Sequence, residues 1–81
     1  MGQRALEAKD FDRRLAEEIR VELARINQSR RWLARQTGLS FNYLDVRVRG
    51  ERPFTVGDIA EIAKALHTPP DHLVRRADRT A

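Results

Sequence analysis

Between Arg30 and Arg52 lie six arginines (Arg30, Arg31, Arg35, Arg47, Arg49 and Arg52) and two acids, Asp45 and Glu51. That excess of four equals the formal net charge of +4 for all 81 residues, so the charges elsewhere cancel. A guanidinium stays protonated and presents a planar fork of donors that fits phosphate oxygens. Charge concentrated on one segment suits a polyphosphate ligand, because each neutralised phosphate releases condensed counterions. A merely solvated face is the plainer explanation of such a cluster. Composition alone does not separate the two.

Other chemistries have little to work with. The chain has no cysteine, so it offers neither a disulfide nor a thiolate metal site, and a reducing compartment suits it. His67 and His72 stand five apart across a helix break without a supporting carboxylate pair, so no metal site and no cofactor is expected. No serine–histidine or paired-carboxylate arrangement has a context that supports it, so the chain is not expected to be an enzyme. No apolar run approaches the roughly 18 residues of a membrane span, and no apolar block follows the N-terminus. A cytoplasmic protein without membrane association is expected.

The length of 81 residues allows one small domain, and 41% hydrophobic residues are adequate for a helical core. Residues 1–9 mix Gly, Gln and charges and read as a mobile arm or a helical extension. Asp10 or Asp12 can cap a first helix from about Phe11. Its apolar stripe is Phe11, Leu15, Ile19, Leu23 and Ile26. Ser29 can cap a second helix from Arg30 to about Thr37, closed by Gly38. Ser40 can cap a third, roughly Phe41 to Arg47, before Gly50 and Pro53 break the pattern. Thr55 with Asp58 has the form of a capping box and opens a fourth helix through Leu66. Thr68 with Asp71 repeats that form ahead of a short fifth helix carrying Leu73 and Val74, with Pro69 and Pro70 in its first turn. From Ala77 to Ala81 the chain reads as a polar tail. The expectation is all-α: a compact bundle of five helices spanning residues 10–76.

Inside the arginine-rich segment the spacing is specific. Two helices joined by a tight turn cross closely only if the first presents a small residue, and Ala34 supplies it. Gly38, four residues on, tolerates the positive φ that the turn needs. Leu44, six residues further, can pin the second helix to the core. With Trp32-Leu33-Ala34, Thr37-Gly38-Leu39-Ser40, Tyr43-Leu44, Arg49-Gly50-Glu51-Arg52 and the segment Ile59 to Leu66, the chain resembles the lambda-repressor and Cro-like (XRE-type) helix-turn-helix family. The resemblance runs from about Phe11 to Val74. It implies a five-helix bundle whose third helix, here Ser40–Arg47, enters the major groove of double-stranded DNA, usually as a dimer on a near-palindromic operator.

By position, the resemblance assigns Arg30 to a backbone phosphate, Phe41, Asn42, Asp45 and Val46 to base edges, and Arg49 and Arg52 to flanking phosphates. Arg31, Ser40 and Arg47 complete the expected DNA-binding set. Two residues depart from the family pattern. Arg47 stands where an apolar residue is usual, so Leu44 and Val48 could form the inward pair and leave Arg47 at the rim near a phosphate. Phe41 stands where a polar side chain is common; it could be buried with Leu44 and Val48 or face DNA and touch a thymine methyl. Asn42 could make a bidentate contact to adenine or simply face water. Asp45 could accept from a cytosine amine or pair with Arg49. Tyr43 could reach a phosphate or cover Leu44, and Trp32 is expected to pack rather than stack on a base.

The expected function is a sequence-specific DNA-binding transcription regulator, of repressor type, binding double-stranded DNA as a homodimer. An antitoxin or protein-interaction adaptor of the same fold is the alternative, with a toxin or anti-repressor as protein partner. An RNA-binding domain ranks last, because an aromatic platform for unpaired bases is missing.

Overall fold

The computed structural model describes residues 9–79, which leaves the expected N-terminal arm, Lys9 apart, and the last two residues of the expected tail outside the described residues. Five helices follow in order: α1 Asp10–Arg25, α2 Arg30–Thr37, α3 Phe41–Val48, α4 Val56–Ala65 and α5 Pro70–Arg79. No strand occurs among the described residues. The core is one cluster. Leu15, Ala16, Ile19 and Leu23 of α1 meet Leu33 and Ala34 of α2, Leu44 and Val48 of α3, and Ile62 and Ala63 of α4. Phe54, Leu66, Leu73 and Ala77 complete it. Helix α1 packs on α3 and α5, while α2 packs on α3 and α4. The two helices of the turn motif therefore rest on a three-helix support.

Capping explains the ends. The Asp12 carboxylate accepts the Lys9 backbone amide at 3.0 Å, so α1 is capped from its third residue, and Asp10 lies inside the helix, paired with Arg13 at 2.6 Å. Thr55 and Asp58 form the expected reciprocal box, with both bonds at 3.0 Å. Helices α1 and α4 end alike: Asn27 and His67 adopt left-handed conformations (φ 57° and 56°). The following amides, of Gln28 and Thr68, reach back to the carbonyls of Leu23 and Ala63 at 2.9 and 3.0 Å. This accounts for His67 as a helix terminator. Gly50 is required by its backbone, with φ +86°; a Cβ there would only touch Arg13 Cγ at 3.5 Å and Ala16 Cβ at 3.8 Å, ordinary contacts.

The fifth helix differs from expectation at both ends. It starts at Pro70, so Pro69 precedes it and the Thr68 signal lies one residue early. It also continues through Arg79 past the expected start of the tail, because Ala77, four residues after Leu73, is fully buried against the core. Arg14 of α1 donates from Nε to the Ala77 carbonyl at 2.9 Å. Arg76 grips α1 with its two terminal nitrogens, 3.0 Å from Glu18 Oε1 and 3.1 Å from Glu22 Oε2. Charged neighbours hid the last turn of this helix, whose fully buried residues are Leu73 and Ala77.

Candidate nucleic-acid interface

The helix-turn-helix is built as its residues require. Ser29 Oγ accepts the Trp32 amide at 3.0 Å and Ser40 Oγ accepts the Tyr43 amide at 3.2 Å, so each helix carries its own cap. Gly38 has φ +80°, donates to the Ala34 carbonyl at 2.9 Å, and has no atom within 4 Å of where a Cβ would be. The turn needs its backbone conformation, not its small size. Thr37 ties the turn down: its hydroxyl donates to the Leu33 carbonyl at 2.9 Å and accepts the Leu39 amide at 3.3 Å. Trp32 is partly buried on the core, a packing role.

Helix α3 shows two sides. Leu44 and Val48 are both 0% exposed, so this pair does replace the usual apolar spacing. At about 100° per residue, Asn42, Asp45, Val46 and Arg49 then lie on the outer arc, while Phe41 falls next to Val48. Asn42 and Arg49 are exposed, and Phe41, Asp45 and Val46 are half-buried. Ser40, the N-cap, is exposed. Phe41 sits at the boundary. It packs on the core, yet the Arg31 guanidinium lies over its ring at 4.1 Å from the centroid. The ring belongs to the core rim and to the cationic face together.

Arginines flank that arc. Arg30, the first residue of α2, donates from Nη1 to Asp45 Oδ1 at 2.7 Å, and Arg49 Nη1 is 3.5 Å from Asp45 Oδ2. Asp45 thus takes the ion-pair alternative, with Arg30 as an additional partner. Arg49 also meets Glu51 at 3.2 Å. Arg31, Arg35 and Arg52 are exposed. Arg31, Arg35, Gly38 and Phe41 border a shallow, open depression beside the turn.

Arg47 does not join this face. Its Nε donates to the Pro53 carbonyl at 3.1 Å, its Nη1 to the Tyr43 carbonyl at 2.9 Å, and its guanidinium lies over the Tyr43 ring at 3.6 Å. The rim position expected for a phosphate contact is instead a brace for the α3–α4 loop. Tyr43 serves the same joint, because its hydroxyl donates to Asp58 Oδ2 at 2.7 Å, the oxygen that also caps α4. Donation to that carboxylate, followed by burial, holds the Tyr43 hydroxyl pKa above its ordinary 10.0. At the other end, Arg20 of α1 donates to the Val48 carbonyl at 2.5 Å, closing the C-terminus of α3. Neither Arg20 nor Asp58 stood out as supporting the site. The spacing of Thr55 and Asp58 was a visible capping signal, but nothing in it pointed to Tyr43.

Among the described residues, no group of three or more His, Asp or Glu side chains comes together as a metal site, and no helix is long and apolar enough to cross a membrane.

Comparisons with known proteins agree with this geometry. The clp gene regulator ClgR from C. glutamicum superposes with a TM-score of 0.78 at 21% sequence identity, covering 86% of this chain and 91% of that one. The restriction-modification controller protein C.AhdI from Aeromonas hydrophila superposes with a TM-score of 0.72 at 26% identity, covering 76% of this chain and 94% of that one. No curated protein sequence matches the chain significantly. The BetR domain family matches residues 10–81, nearly the whole sequence. The chain therefore belongs to the BetR domain family, and its five helices have the lambda-repressor-like helix-turn-helix fold.

Proposed function

We propose that this protein is a sequence-specific DNA-binding transcription regulator that reads the major groove of double-stranded DNA with α3. One observation carries the reading: α3 is pinned inward by Leu44 and Val48 while its outer arc presents Asn42, Asp45, Val46 and Arg49 between arginines of α2 and of the following loop. The family membership and the names of the neighbours, a gene regulator and a restriction-modification controller, support it. Asn42 contacts a base edge, and Phe41 and Val46 offer apolar contact to thymine methyls. Arg30, Arg31, Arg49 and Arg52 contact phosphates and set register, with Ser40 at the backbone beside them. Arg47 is left out of the contact set.

Eight residues of helix rise about 12 Å, which reaches too few base pairs to define a genomic site. Two copies, bound about 34 Å apart on one face of the duplex, supply the rest. The protein acts in the cytoplasm as a homodimer on DNA. Occlusion of a promoter, the mode of a repressor, needs nothing beyond that occupancy.

Selection of bound duplexes from a fully randomised pool tests this directly. The expected product is a near-palindrome with two half-sites one helical turn apart. A pool that stays unenriched after repeated rounds contradicts sequence-specific recognition.

A further inference from the structure

A carboxylate among phosphates is repelled, yet Asp45 stands at the edge of the outer arc of α3. Its side chain is 18% exposed and is held from two sides, Oδ1 by Arg30 at 2.7 Å and Oδ2 by Arg49 at 3.5 Å. Those arginines come from different places in the fold, the first residue of α2 and the C-cap of α3. One acid therefore spans the motif and sets where two of its cations stand. The two side chains are 37% and 44% exposed, and Arg49 Nη2 also meets Glu51 at 3.2 Å, which still leaves donors on both guanidiniums beyond those bonds.

We propose that Asp45 is a specificity-setting positioning residue, which acts by holding Arg30 and Arg49 rather than by reading a base. The inference rests on the DNA-binding reading above. A guanidinium bonded to Asp45 through one nitrogen still has donors for a phosphate, provided that the phosphate arrives where the pair already points. A correctly docked backbone shares both arginines with Asp45. A misregistered backbone must pull them away, which leaves a half-buried carboxylate unpaired beside phosphates. Arbitrary DNA is penalised and the operator is not, which is discrimination by an unfavourable element. A base-reading Asp45 would have to turn a remaining lone pair toward a cytosine amine while both of its oxygens stay beside arginines.

The nearly isosteric variant Asp45→Asn, with Asp45→Ser as a second, tests this on a random-sequence duplex at about 100 mM salt. Random-duplex affinity is expected to rise roughly three- to tenfold. The preferred bases in a randomised pool stay at the same positions, while the ratio of specific to random affinity falls by a similar factor. In a protein carrying both Arg30→Gln and Arg49→Gln, the same Asp45→Asn change should raise random affinity less than about twofold. Loss of preference at a single C·G pair with unchanged random affinity would make Asp45 a base reader instead. An equal rise in both backgrounds would reduce it to a repulsive charge, and an unchanged random affinity would remove its role altogether. Thermal melts of each variant separate these outcomes from unfolding. Failure of the unaltered protein to bind any duplex strikes the proposed function itself, whereas failure of the variants alone strikes only this inference.

Discussion

A side chain distinguishes one base from another only if its backbone is held still, and α3 is held at three points. Its first turn is capped by Ser40, its last carbonyl by Arg20, and its flank is fastened to α4 through Tyr43 and Asp58. Asn42 stands exposed on that fixed frame, and Arg49 stands exposed at its end. Replacing each by alanine should therefore have opposite consequences. Asn42→Ala loses on the order of 1–3 kcal/mol of discrimination at one base pair with little change in random-duplex affinity. Arg49→Ala weakens all sequences alike and makes the salt dependence shallower by up to about one unit. Fluorescence-anisotropy titrations on cognate and single-substituted duplexes measure both. Exchanged phenotypes would mean that α3 meets the groove in a different rotation. Spacing made Asn42 and Arg49 legible, since three- and four-residue intervals place both opposite Leu44 and Val48. Arg47 was not legible: a sequence shows that an arginine lies at the rim but not that two backbone carbonyls and a tyrosine ring accept it.

At the scale of elements, the motif rests on the contact between α1 and α5, and that contact is electrostatic as well as apolar. Glu22 is buried and bonded to Arg25 at 2.6 Å and to Arg76 at 3.1 Å. The bond from Arg25, opposed by burial and aided by Arg76, lowers the Glu22 pKa below its ordinary 4.5. A lowered folded-state pKa means that this stabilisation is complete above about 4.5 and is lost as pH falls through the lower folded value. Glu22→Gln should cost about 1–2 kcal/mol near neutral pH, since a buried charge-assisted bond is lost while the shape is kept. The gap to the unaltered protein should close as acid protonates Glu22 itself. Denaturant unfolding across that pH range checks it, and a gap independent of pH would assign the loss to packing. Helices α1 to α4 could be read from the sequence because an apolar pattern agrees in each with a capping residue near its start and, for α2 and α3, with a glycine after its end. The end of α5 could not, because the buried side of its last turn is the single small residue Ala77 amid charges, and Arg76 and Arg14 find their partners only across the fold.

For the whole molecule, the charge is unevenly used. Arg76, Arg14 and Arg20 serve the fold, while Arg30 and Arg49 flank the face formed by the outer arc of α3, Arg31 lies over Phe41 at the start of that helix, and Arg35 and Arg52 are exposed. That division turns a modest formal net charge of +4 into a directed one. The central claim, that this face binds the backbone of duplex DNA, is tested most directly by the salt dependence of binding to the selected duplex. With about four to five phosphates neutralised per protomer, log affinity should fall against log salt with a slope of roughly −4 per protomer, so about −8 for two copies on one site. Slopes near zero, or a duplex affinity that does not respond to salt between about 50 and 200 mM, would contradict the account.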